Sequence, residues 1–286
     1  MTRRVIFTAD DFGLDEAVNE AVERAHRDGV LTAASLMVTA PAAADAIARA
    51  RRLPGLAVGL HLVLVQGMPA LPREDVASLV EADGAFSESP AAAGMRYFFR
   101  RDARPALARE IRAQFEAFAR TGLPLDHVDG HTHLHIHPTV FALLLDIGRE
   151  FGMRAMRVPY EPPVASWRAA GGNGRVRRMA ASGAFAPWAA YMRTRLRACG
   201  VVSNDATFGF HDTGAMTEPL VLRQLAQIAP DSVTEFYFHP ATRKSDALKR
   251  TMPGYRNVEE FAALCSPALK DALSRLDITP VAFRDI

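Results

Sequence analysis

Apolar runs of four to six residues alternate along this chain with longer stretches in which apolar residues recur at helical spacing. The short runs predict strands over Val5 to Ala9, Ala34 to Val38, Ala57 to Leu62, His127 to His131, Ala155 to Val158, Thr207 to Phe210, Val233 to Phe238 and Pro280 to Phe283. The longer stretches predict helices over Asp15 to Asp28, Ala42 to Arg52, Pro105 to Arg120, Thr139 to Phe151, Pro219 to Ile228 and Val258 to Leu276, the last interrupted at Pro267. Such alternation calls for parallel pairing, because parallel neighbours need a crossover between them. Seven or eight strands favour a distorted (β/α) barrel of the TIM type over an open doubly wound sheet. A length of 286 residues with 49% hydrophobic content supports one large core, so the whole chain, 1–286, reads as a single domain.

Two segments break the alternation. Residues 65–104 are rich in Pro, Gly and Ala, and residues 162–204 join two predicted strands; both are long enough to cover a site as lids. The second segment changes the charge picture. Net charge is only +2, yet this stretch holds seven arginines (168, 175, 177, 178, 193, 195 and 197) and no acid, leaving the remainder net acidic. It also holds Trp167 and Trp188 with Phe185 and Tyr191, a mixture suited to peripheral membrane contact as well as to a solvated crossover. Near-neutral overall charge and the absence of a binding motif argue against nucleic acid. Cys199 and Cys265 are too few and too distant for a disulfide framework or a thiolate metal site. With no signal-peptide pattern and no membrane-span-length apolar run, a cytoplasmic protein is expected, with association at the inner membrane face left open.

Candidate chemistry gathers at predicted strand ends. Asp129-Gly-His-Thr-His-Leu-His-Ile-His137 sets His131, His133, His135 and His137 at alternate positions, which on an extended strand would aim four imidazoles to one side. Thr8-Ala-Asp-Asp-Phe-Gly13 closes the first strand with adjacent carboxylates, Asp10 and Asp11, and a bend is needed to turn both into a barrel mouth. His61 ends Val58-Gly-Leu-His, and His239 ends Phe236-Tyr-Phe-His before Pro240. In β/α barrels the reactive groups sit at the carboxyl ends of different strands. His26 and His127 read as structural.

Taken together, Ala9-Asp-Asp-Phe-Gly13, Gly59-Leu-His61, Asp129-Gly-His-Thr-His-Leu-His135, Arg157 and His239-Pro240 resemble the YdjC-like family of carbohydrate deacetylases over nearly the full chain. The resemblance implies a distorted β/α barrel, one divalent metal and hydrolysis of an N-acetyl group from an amino sugar. By motif position it implies Asp11, His61 and His131 as metal ligands, Asp10 as catalytic base and His239 as acid. Chemistry is consistent with these roles. A carboxylate with two imidazoles leaves a metal open positions at which water can be activated, Asp10 can take the proton, and a charged His239, supported by Glu235, can protonate the departing amine. Arg157 would orient Asp10 and keep it ionised.

His135 could replace or join His131 as a ligand if the chain coils beyond the strand; otherwise His133, His135 and His211 are expected at the sugar. Zinc is the first choice for the ion, with manganese, cobalt, iron and magnesium also open. The form of the histidine motif and Arg157-Val-Pro-Tyr-Glu161 resemble the hopanoid-biosynthesis-associated branch, which implies a lipid-linked amino sugar. Chito-oligosaccharides are the main alternative substrate, and a homodimer is admissible. A metal-dependent phosphoesterase or amidohydrolase, and a non-catalytic sugar- or metal-binding protein, are the competing classes.

Overall fold

The computed structural model describes residues 2–286. In chain order its elements are β1 (Arg3–Phe12), α1 (Glu16–Asp28), β2 (Ala33–Leu36), α2 (Ala43–Ala50), β3 (Ala57–Leu62), α3 (Arg73–Val76), α4 (Pro90–Phe99), α5 (Arg104–Arg120), β4 (Val128–Gly130), α6 (Pro138–Glu150), α7 (Pro163–Ala169), α8 (Arg175–Ala198), β5 (Ala206–Phe208), α9 (Glu218–Leu225), β6 (Ser232–Phe238), α10 (Asp246–Thr251), α11 (Asn257–Leu264), α12 (Pro267–Arg275) and β7 (Ile278–Pro280). The strands form a seven-stranded sheet in the order β4-β3-β2-β1-β6-β5, with β7 also against β1. Every strand pair is parallel.

The parallel sheet curls into a partial barrel, which meets the expected distorted barrel in part: seven strands are present and the barrel does not fully close. The predicted strand at Ala155 to Val158 survives only as single bridges, Val128 to Met156 and Ala155 to Val202. Beyond them the gap between β4 and β5 is spanned by the Asn204 amide, which binds the Val158 N–H and carbonyl at 2.9 and 3.1 Å, and by Thr207 N–H donating to the Tyr160 carbonyl. At Val158 a side chain stands in for the ladder, so the backbone pairing stops after the bridges. The last strand also sits earlier than predicted, because residues 283–285 close into a 3₁₀ turn.

Alternation along the strands sorts the interior into layers. At the amino-terminal end Ile6, Ala33, Ala57, Ala155 and Val233 surround Phe283, which plugs the barrel floor. Small alanines leave room for that ring. One step up, Thr8, Ser35, Gly59, Arg157 and Glu235 follow at i+2, and the top of the barrel carries Asp10, His61 and Tyr237. Gly59 is required here: a Cβ would lie 2.5 Å from the buried His127 ring. Gly59→Ala is therefore expected to cost ~1–3 kcal/mol by overpacking, lowering the melting temperature by roughly 2–10 °C; unchanged circular-dichroism melts would show that His127 yields freely.

The two insertions are tied to the barrel by buried polar contacts and helices. In the first, buried Glu110 accepts from the Ala70 and Leu71 N–H groups at 2.8 and 3.1 Å, and Gln114 clasps both backbone groups of Val63, pinning the loop over α5. The second folds into α7 and the 24-residue α8, which contains Pro187. No helix among the described residues is long and apolar enough to cross a membrane.

Candidate active site

β1 supplies the bend that its paired carboxylates need. Its register with β2 slips between Ala9 and Phe12, and Asp11 adopts φ 60°, a left-handed conformation that aspartate tolerates better than most residues. Both carboxylates are buried and line the cavity above the sheet. His61, at the end of β3, is oriented from behind: its Nδ1 lies 2.8 Å from Asp129 Oδ1, leaving Nε2 3.2 Å from Asp11 Oδ1. Such carboxylate–histidine contacts set the ring orientation and the free nitrogen of a metal ligand.

The four histidines do not share a face. The strand ends at Gly130, and Thr132 and His133 turn left-handed at φ 51° and 58° inside a 3₁₀ turn. The alternate spacing is thereby distributed around a coil. His131 Nδ1 comes to 2.8 Å from Asp11 Oδ1. His133 stacks on Phe210 and lies 3.1 Å from the Tyr237 hydroxyl. His135 is fully buried and donates from Nε2 to the Arg157 carbonyl at 3.2 Å, so it neither joins the ligand cluster nor reaches the cavity. Burial pushes its pKa down to about 3, which makes it a neutral structural ring. His137 leaves the site and packs edge-on against Tyr97 and Phe98.

Donor atoms of Asp11, His61 and His131 all lie within 4.8 Å of one another, and Asp11 Oδ2 is buried without a hydrogen-bond partner. Electrostatics favour a cation at this point. Burial opposes charge on His61, yet the Asp129 charge and hydrogen bonds to Asp11 and Asp129 overcome it and raise its pKa to about 10. Asp11, despite burial, is held well below the usual carboxylate range by His131 and His61. One carboxylate and two imidazoles around an unsatisfied oxygen fit a divalent ion. Asp10, His61 and Asp129 form a second group of suitable spacing, but Arg157 already sits 2.8 Å from both aspartates.

Arg157 is the buried hub of the site. Its Nη1 and Nη2 donate to the two Asp10 oxygens at 2.8 Å each, and its Nε donates to Glu235 at 2.9 Å. Thr8 adds a hydroxyl bond to Glu235 at 2.8 Å. Glu235 is thus committed to Arg157 and does not support His239, contrary to the sequence expectation. It is Glu260 that lies beside His239, accepting from its backbone N–H at 2.6 Å. The His239 ring reaches the cavity, with Nε2 3.9 Å from Asp11 Oδ2 and Nδ1 buried and unpartnered.

The cavity has a volume of about 640 Å³. Its walls carry Phe210, Tyr237 and Tyr255, with Gln66 and Glu88 from the first insertion and Arg250 near the rim. Asp129, Tyr237 and Tyr255 were not singled out as site residues from sequence. For Asp129 the signal was present in the motif; for the tyrosines only the fold supplies it. Ser35 and His127 extend the support: Ser35 donates to Asp129 at 2.8 Å and contacts His127 Nε2 at 3.0 Å, and His127 Nδ1 meets Asp126 at 2.8 Å.

His211, expected at the sugar, lies outside the cavity wall, with Nε2 2.9 Å from Ser182 on α8. It belongs to a polar cluster behind the Phe210 loop. Arg178 makes a paired contact with Asp212 at 2.8 and 2.6 Å, while Glu161 accepts from the Ser166 hydroxyl and from the His211 N–H. Burial pushes Glu161 up to about 7 from an ordinary 4.5. A raised folded pKa means that the associated stability is complete below pH 4.5 and is lost as pH rises to about 7, a difference of ~3 kcal/mol. Glu161→Gln should flatten that loss; melts that track the parent protein across the window would remove Glu161 as its source.

A family model described as YdjC-like protein matches residues 4–275. The chain belongs to the YdjC-like family. The carbohydrate deacetylase of Vibrio vulnificus (strain CMCP6) is 41% identical over 149 residues, 52% of this chain and 56% of that protein. The carbohydrate deacetylase of Brevibacillus brevis is 38% identical over 161 residues, 56% of this chain and 59% of the relative. These matches span little more than half of each relative. The carbohydrate deacetylase of Geobacillus stearothermophilus aligns over 100% of this chain and 98% of its own length at 29% identity. A crystal structure of a protein from Enterococcus faecalis V583 superposes with a TM-score of 0.79 at 24% identity, covering 100% of this chain and 99% of that one. At that identity it bears on the fold alone.

Proposed function

We propose that this YdjC-like protein hydrolyses the N-acetyl group of an amino sugar, giving acetate and the free amine. The observation that carries the reading is the convergence of Asp11, His61 and His131 on one point of the cavity beside an Asp10 carboxylate gripped through both oxygens by Arg157. Asp11, His61 and His131 would hold a divalent ion, zinc by the donor set, which supplies Lewis acidity toward the acyl oxygen and lowers the pKa of water. Asp10 accepts the proton that the attacking water gives up. Arg157 fixes the direction of that carboxylate through two hydrogen bonds. His239, which follows β6 beside the end of β1 and lines the cavity, donates the proton needed by the departing amine. Carbohydrate deacetylase relatives support the same reaction.

Our finer reading of the substrate is an N-acetylglucosaminyl hopanoid, based on the form of the histidine motif and Arg157-Val-Pro-Tyr-Glu161. A chito-oligosaccharide is a second reading, favoured by Phe210, Tyr237 and Tyr255 on the cavity wall, since aromatic faces suit sugar rings. Acetate release from the two substrates assayed side by side tests both. Release from the lipid alone supports the first, release from the oligosaccharide alone supports the second, and release from neither contradicts the deacetylase reading.

A further inference from the structure

Two exposed apolar features with no part in the cavity chemistry flank the Ile136–His137 turn. α4 turns Ala93 and Tyr97 inward, and the Tyr97 hydroxyl donates to the Leu64 carbonyl at 2.7 Å. Its opposite stripe faces solvent, with Met95, Phe98 and Phe99 exposed by 63%, 57% and 70%. The spacing i, i+3, i+4 makes them one contiguous face, and the two phenylalanine rings touch edge-on at 5.0 Å. α8 stands on the other side of the Ile136–His137 turn. Trp188 donates to the Ile136 carbonyl at 2.9 Å and stacks on the exposed Tyr191 at 5.0 Å, while Phe98 lies 6.0 Å from the His137 ring. The tryptophans of the second insertion are thus partly buried, and it is α4 that presents the large apolar side chains.

Charge points to the occupant. Arg100, Arg101 and Arg104 follow the α4 stripe directly and are exposed, and α8 ends in the exposed Arg195 and Arg197. Asp102, paired with Arg100 at 2.6 Å, is the acid among them. A two-fold contact with a second copy would set these arginines against their own kind, which like-charge repulsion disfavours. A surface that joins bulky apolar groups to arginines matches the headgroup zone of an anionic bilayer.

We propose that the α4/α8 face docks the protein on an anionic lipid bilayer, with Met95, Phe98 and Phe99 entering the interface and the flanking arginines meeting lipid phosphates. Glu88 on the cavity wall immediately precedes Ser89, the N-cap of α4, so docking brings the cavity mouth close to the membrane. The surface stands independently of the reaction proposed above, and its test reads lipid binding alone.

The experiment is co-sedimentation of the full chain with phosphatidylcholine vesicles and with equimolar phosphatidylcholine–phosphatidylglycerol vesicles at low salt. The expected result is binding to the mixed vesicles, weakened by added salt and reduced roughly tenfold or more in the double variant Phe98→Asp/Phe99→Asp. Arg195→Glu/Arg197→Glu, which leaves α4 intact, should also weaken binding. These residues are exposed, so circular dichroism should register the parent fold in both variants. Equal sedimentation with and without vesicles, or variants that bind as the parent does, would overturn the proposal. So would self-association, abolished by Phe98→Asp/Phe99→Asp, in place of lipid binding.

Discussion

Arg157→Met is expected to lower the melting temperature by roughly 10 °C and to abolish activity at every substrate concentration. Arg157 is fully buried and pairs with three carboxylates, those of Asp10, Asp129 and Glu235. Removing one member of a buried ionic cluster leaves the others without compensation, at ~3–5 kcal/mol. Methionine fills much of the volume, so the loss reports charge more than cavity. Arg157→Lys separates the two roles: it returns a positive charge and part of the stability, but a point charge cannot reproduce the paired grip on Asp10. Its activity should stay low while its melting temperature recovers. If Arg157→Met melts within about 2 °C of the parent protein, the cluster is not held together by that guanidinium.

Asp10→Asn is the second large effect. The fold and the bound metal should persist, because Asp10 lies outside the Asp11–His61–His131 group and asparagine keeps an acceptor for Arg157. Acetate release should nonetheless fall by about 10²–10⁴ in kcat, the range lost with a positioned general base, with KM little changed. A fall of only a few-fold, with metal content unchanged, would remove Asp10 from the reaction and favour a binding role for the site.

Much of this site could be read from strand ends. Asp10, Asp11, His61 and His239 each close a predicted strand, and β3 begins and ends where its apolar run does. Parallel strands buried on both sides leave continuous apolar runs, so their carboxyl ends are visible as the first polar residues. The histidine cluster was harder. Alternate spacing after Asp129 signals a strand, but two left-handed residues, Thr132 and His133, coil the chain and send His135 and His137 elsewhere. Nothing in residue type alone demands that turn.

α8 was invisible for a different reason. Its buried residues are few for a helix of 24 residues, and Gly183 and Pro187 lie within it, so no apolar stripe marks its period. The strand predicted at Ala155 is cut to single bridges because, from Val158 onward, its backbone is bound by the side chain of Asn204, a neighbour far away in sequence. Glu260 beside His239 depends likewise on the packing of α11, which strand-face reasoning from β6 cannot reach.

The most direct test of the central claim is acetate release from an N-acetylated amino sugar by protein stripped with a chelator and then titrated with zinc. No release is expected from the stripped protein, with recovery that saturates near a single equivalent of zinc per chain and no recovery in Asp11→Ala or His61→Ala. Full release after stripping, or recovery in those variants equal to the parent, would contradict it.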